Sequence, residues 1–136
     1  MTATITITNN IDMILAERGF IEPEEIRSIT LEDVLVDTGA TMLSLPTAMA
    51  EQLGLPTKGK TSVRTSAGSI PARIFSQTHL EINGRSSIFE CLELTELDVP
   101  LLGVLPMETL GMEPDLRNQK LRLLAEEEGE TYIYAL

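Results

Sequence analysis

One cysteine and one histidine among 136 residues leave out much of the usual chemical equipment. Cys91 alone cannot form an internal disulfide, and with His79 it supplies too few nitrogen and sulfur ligands for a structural zinc site. A Ser-His or Cys-His nucleophile pair would have to run through His79, which strand alternation puts on a surface face with Arg73, Gln77 and Glu81. Cations are also scarce: ten Lys and Arg stand against 21 Asp and Glu, a net charge of −11. Affinity for nucleic acid rests on clustered cations that release counterions, so no nucleic-acid partner is expected, and anionic membrane surfaces are disfavoured on the same ground. Nowhere does an apolar run approach the roughly 18 residues of a membrane span. Met1–Asn10 has neither the basic start nor the apolar stretch of a secretory signal, so the expectation is a soluble, cytoplasmic protein without a membrane partner. No metal ion and no organic cofactor is implied, and carboxylates remain to carry any chemistry.

What is present suits one domain over residues 1–136, since domains usually run about 100–150 residues. A chain of this length buries roughly two-thirds of its unfolded surface without needing disulfides, and 43% apolar with 23% charged residues is a globular composition. Thr2–Thr8 alternates strictly, with Ala3, Ile5 and Ile7 on one face, and reads as a strand. Ile11–Glu17 fits a strand or a short helix, and Pro23-Glu24-Glu25 a turn or a first helical turn. From Ile26 the chain rises into Val34-Leu35-Val36, a buried strand ending at Asp37-Thr38-Gly39. Pro46 to Leu53, stopped by Gly54, reads as a helix that opens on its proline.

Thr61–Thr65 and Ser69–Ile82 read as a hairpin around Ser66-Ala67-Gly68, the second strand placing Ile70, Ala72, Ile74, Leu80 and Ile82 on one face. Asn83-Gly84 closes another hairpin, because both residues tolerate positive φ, and Ser86–Leu94 returns. Cys91 in that strand packs as a small apolar side chain. Leu105–Leu110 is a short helix stopped by Gly111, Leu116–Leu124 one more strand, and Thr131–Leu136 a terminal strand. The fold class is mostly β with one or two short helices.

As a bare tripeptide Asp37-Thr38-Gly39 is a turn, with roughly a few chances in a hundred of occurring somewhere in such a chain. Its surroundings are more demanding. An apolar strand runs into it, Ala40-Thr41 follows, and Pro100-Leu101-Leu102-Gly103 comes some sixty residues later ahead of a short helix. On Leu35-Val36-Asp37-Thr38-Gly39-Ala40-Thr41 and Leu101-Leu102-Gly103, the chain from about Glu32 to Leu124 resembles the retropepsin-like aspartic proteases. That resemblance implies a closed β-barrel, a catalytic Asp37, a loop shaped by Thr38, Gly39 and Ala40, and support from Leu101, Leu102 and Gly103. It also implies a substrate-covering flap at Ser66, Ala67, Gly68, Ser69 and Ile70. Val104 stands where retroviral relatives commonly carry Arg, and Asn10–Ser28 is longer than its retroviral counterpart.

Such an enzyme hydrolyses a peptide or protein substrate with one carboxylate taking a proton from water while a neighbouring carboxylic acid donates one. Only one such motif occurs here, so the second Asp37 is expected from a twofold partner in a homodimer. Thr2–Thr8 and Thr131–Leu136 are the expected staples of that dimer. The alternative is a non-proteolytic module that keeps the fold and dimerises or binds peptide, since fold does not establish activity.

Overall fold

The computed structural model describes residues 1–66, 68–95 and 99–124, so the Thr131–Leu136 strand lies outside the described residues. Threonine alternates with Ala3, Ile5 and Ile7 through β1 (Thr2–Asn9), which buries Ile5 and Ile7 completely. On its other face Thr6 and Thr8 exchange hydroxyl hydrogen bonds with Thr30 (3.0 Å) and Ser28 (2.8 Å) of the neighbouring strand β2 (Ser28–Val36). Helix α1 (Asn10–Glu17) and a 3₁₀ turn (Pro23–Glu25) lie between the two strands. After β2 come β3 (Leu43–Pro46), α2 (Thr47–Leu53), β4 (Thr57–Thr65), β5 (Gly68–Ile82) and β6 (Arg85–Leu94). The described chain finishes with β7 (Leu101–Leu102), α3 (Val104–Thr109), β8 (Met112–Asp115) and β9 (Lys120–Leu123).

Seven strands form one sheet in the order β1-β2-β7-β3-β6-β5-β4, with β1 also pairing β5, while β8 and β9 form a separate hairpin. The fold is mostly β, as the sequence implies. Its core gathers Ile5, Ile7, Val34, Leu43, Leu45, Phe75, Leu80, Ile82 and Leu102, each at most 2% exposed. Among the described residues no helix is long and apolar enough to cross a membrane.

Several sequence expectations need correction. Ile11–Glu17 resolves to helix, because Asn9 ends β1 extended and its Oδ1 accepts the Asp12 amide at 3.1 Å as an N-cap. With α2 and α3 that makes three helices among the described residues rather than one or two. Leu43–Pro46, for which the sequence shows no strand pattern, is a fully buried strand. Pro46 pairs with Leu94 in its parallel ladder and caps α2 instead of opening it. Strict alternation along β5 fails because the register shifts between Phe75 and Thr78, where Gln77 takes φ 57°. Phe75 therefore enters the core and Ile74 is left half-buried. Leu116–Leu124 is a turn followed by β9, whose partner β8 includes Pro114, a residue tolerated on an edge strand. Asn83 and Gly84 do take positive φ, 50° and 82°, at the β5–β6 turn.

The long Asn10–Ser28 segment is bolted down by polar contacts. Asn9, 1% exposed, donates from Nδ2 to the Leu53 (2.9 Å) and Gly54 (3.3 Å) carbonyls at the end of α2. Asp12, 5% exposed, accepts from the Arg27 amide (3.0 Å), Nε (2.9 Å) and Nη2 (3.1 Å). The Arg27 guanidinium bonded to Asp12 holds its carboxyl below the usual range. A second cluster joins β5, β6 and α2: Glu93 accepts from Arg73 Nη2 (2.7 Å), Nε (3.0 Å) and amide (3.0 Å) and from Thr47 Oγ1 (3.0 Å). Arg73 also lies over the Phe75 ring, 5.0 Å from its centre.

Two outcomes follow for stability. Asn9→Ala leaves the Leu53 carbonyl and the Asp12 amide without their partner, and urea unfolding should show a loss of about 1–3 kcal/mol. The second concerns pH. Hydrogen bonds from Arg73 depress Glu93 from 4.5 to about 2. Its contribution, at most about 3 kcal/mol, is complete above the unfolded pKa and is lost as pH falls through the folded one. The stability gap between wild type and Glu93→Gln should therefore narrow from pH 5 down to pH 2, read by urea midpoints.

Candidate active site

Asp37 is the first residue beyond β2, and its position is set by backbone. The parallel β2–β7 ladder pairs Leu35 with Leu101 and Val36 with Leu102. The Asp37 amide extends it by donating to the Leu102 carbonyl at 3.0 Å. Ala40 N donates to Asp37 O at 3.1 Å, closing a tight turn over Asp37-Thr38-Gly39-Ala40. Inside that turn Asp37 Oδ1 accepts the Gly39 amide at 2.9 Å. The half-buried carboxylate is thereby fixed through one oxygen. Among the described residues Oδ2 has no hydrogen-bond partner.

The next residues tie the turn to α3. Ala40 O accepts the Val104 amide and Thr41 O accepts the Leu105 amide, both at 2.9 Å. No side chain caps α3, so the loop carbonyls take over that work on the helix's unpaired N–H groups. This places the two backbones so close that a Cβ at Gly103 would meet Met42 O at 2.5 Å, Thr41 C at 2.7 Å and Ala40 O at 2.8 Å. Gly103 has φ −89°, so the need for glycine there is one of space. On the far side of β7, Leu101 pairs antiparallel with Ser44, which wedges β7 between β2 and β3.

Asp37, Gly39, Ala40, Leu101, Leu102 and Gly103 are thus brought together. Thr38 is exposed and lines a groove of about 340 Å³ with Val104, Met107, Glu108, Met112, Glu113, Pro114 and Leu124. The hairpin tip belongs to another part of the fold. From Gly68 to Arg73, β5 pairs with β4 alone, because its ladder with β6 begins at Ile74 and that with β1 at Thr78. A two-stranded ribbon results, with Ser66, Gly68 and Ser69 exposed and Ile70 half-buried. Ala67 lies outside the described residues.

Arg85 is a contributor that no motif in the sequence reveals. From β6 its Nη1 donates to the Leu110 (2.9 Å) and Gly111 (2.8 Å) carbonyls, and its Nη2 to Leu124 O (2.9 Å). One guanidinium so closes the C-terminal end of the helix whose N-terminus holds the Asp37 loop. The available signal was the lack of any basic residue in the last turn of α3. Cys91 is fully buried, 3.4 Å from Thr78 Oγ1, and burial raises its thiol to about 11. His79 is half-buried in the middle of β5.

A family model described as aspartyl protease matches residues 25–113. No curated protein matches the chain.

The crowding at Gly103 yields a direct test. Gly103→Ala forces its methyl group into the backbone of residues 40–42 and should destabilise the protein by at least about 3 kcal/mol in a urea titration.

Proposed function

The chain belongs to the aspartyl protease family, and from that premise we propose that it is a homodimeric endopeptidase whose dyad consists of Asp37 from each of two protomers. The observation that carries this reading is the fixed turn at Asp37, with Oδ1 held by the Gly39 amide and the loop clamped by β7 and α3. Oδ2 is left for a second carboxyl group or for water. Two carboxyls about 3 Å apart, the established arrangement of aspartic proteases, do not both ionise cheaply, so one proton is shared and the pair is acid and base together. The ionised member draws a proton from water as it attacks the peptide carbonyl, and the protonated member donates to the carbonyl oxygen. No covalent intermediate is needed.

In this reading Thr38 and Gly39 brace the loop, Ala40, Leu101, Leu102 and Gly103 hold it from behind, and the ribbon tip from Ser66 to Ile70 covers the substrate. Pairing of β1 with both β2 and β5 supports treating the sheet as a closed barrel. One observation favours the competing module that binds peptide or dimerises without cutting. A single chain holds one Asp-Thr-Gly sequence, so a monomer would bind without a dyad.

Incubation with a diverse peptide library between about pH 4 and 7, beside Asp37→Asn, separates the two readings. Cleavage should fall at least about a hundredfold in the variant, and specific activity should rise with protein concentration as the dimer assembles. Cleavage surviving in Asp37→Asn ends the mechanism. Full activity from a monomer shown by sedimentation ends the two-chain dyad. Ala40 brings no hydroxyl to stabilise an ionised carboxylate, so the optimum should lie above about pH 3.

A further inference from the structure

The 21 Asp and Glu residues are unevenly distributed: none falls between residues 52 and 80, a stretch that carries Lys58, Lys60, Arg64 and Arg73. That stretch contains the whole of β4 and most of β5, including the two-stranded ribbon. In a chain of net charge −11 the ribbon is therefore a positively charged projection. Two of its cations are neutralised within the protein, Lys58 by Glu90 at 2.6 Å and Arg73 by Glu93 at 2.7 Å with Glu51 at 3.3 Å. Lys60 and Arg64 are exposed and have no ion-pair partner among the described residues.

Register fixes where those two charges stand. Lys60 pairs with Arg73 and Arg64 with Ser69, on the side of the ribbon opposite to the Val63–Ile70 and Thr61–Ala72 pairs. Ala72 is 3% exposed and both Val63 and Ile70 are half-buried, whereas Lys60 and Arg64, on the face they share with Arg73, are themselves exposed. β4 is also the last strand of its sheet, pairing with β5 only among the described residues. Its outer edge offers unpaired main-chain groups to an extended segment. Four residues of strand set Lys60 and Arg64 about 13 Å apart, the spacing of every fourth side chain in an extended peptide.

We infer that Lys60 and Arg64 select acidic, extended peptide segments, pairing with two carboxylates four residues apart on one side of the segment. The inference rests on the endopeptidase reading for its role in cleavage, and the binding step can be measured without cleavage. Cations on an edge strand also discourage pairing between copies of the same protein. That effect alone gives no preference among peptides.

The test uses three peptides of one sequence bearing Glu, Gln or Lys at two positions four apart. Binding is followed by fluorescence anisotropy on the Asp37→Asn protein, and kcat/KM is measured on wild type. Two surface ion pairs should give the Glu peptide about a tenfold advantage over the Gln peptide at low ionic strength, shrinking as salt screens it. In the Asp37→Asn background, Lys60→Gln with Arg64→Gln should bring that ratio near one. Arg117→Gln with Lys120→Gln removes the same charge from the exposed turn and start of β9 and should keep it. Equal binding of the Glu and Gln peptides overturns the inference, as does no binding of any peptide. So does a ratio that survives the ribbon variant or falls equally in the β9 control, and so does displacement by an oligonucleotide of matched charge as effective as that by the Glu peptide. Selective binding without cleavage by wild type removes the endopeptidase reading and leaves the selection standing. Cleavage without selectivity does the reverse.

Discussion

The approach of Gly103 to the carbonyls of residues 40–42 is the contact on which the geometry around Asp37 depends. β7 is only two residues long, far too short to hold a position by its own ladder. It is held because β2 flanks it on one side and β3 on the other, and because the chain leaving it turns at once into a helix whose first amides need acceptors. The Asp37 loop supplies those acceptors. Loop and helix each satisfy backbone groups of the other, so neither can shift without exposing unpaired amides or carbonyls, at a cost of about 1–3 kcal/mol each. A side chain on residue 103 would separate the two backbones and undo both sets of bonds.

The few cations of this acidic chain are placed with corresponding economy. Arg27, Arg73 and Arg85 each engage several acceptors at once, and each joins elements that the sheet ladders do not connect: α1 to the start of β2, β5 to α2, β6 to the end of α3. The planar guanidinium suits this bridging because its donors diverge in a fixed fork. Asp12 and Glu93, nearly buried, are acceptable inside only because an arginine and further donors meet them. Removing either partner strands a charge.

Much of this was legible in the sequence because it is local. β1 follows from alternation, the β5–β6 turn from Asn83-Gly84, and the Asp37 turn from Asp-Thr-Gly after an apolar strand. The pairing of that turn with Leu102 and Gly103 was legible only through two motifs taken together. What stayed hidden depends on contacts remote in sequence. Leu43–Pro46 contains a proline and is too short to show a period, and it becomes a strand by lying between β6 and β7. The register shift in β5 comes with a positive φ at Gln77, whose side chain accepts from Asn10 at 2.8 Å, so a partner 67 residues away attends the exchange of Ile74 for Phe75 in the core. Arg85 carries no local signature at all, because its acceptors are backbone carbonyls.

Cys91 lies in β6, between β3 on one side and β5 on the other, opposite Leu43 and Phe75. It is the only thiol in the chain, it is fully shielded, and burial keeps it protonated at physiological pH. An electrophile or oxidant meets no thiolate while the sheet is closed. Alkylation of this sulfur therefore proceeds only through molecules in which β6 has parted from its neighbours. Its rate is an intrinsic clock for the opening of the central sheet, built into the protein without any label.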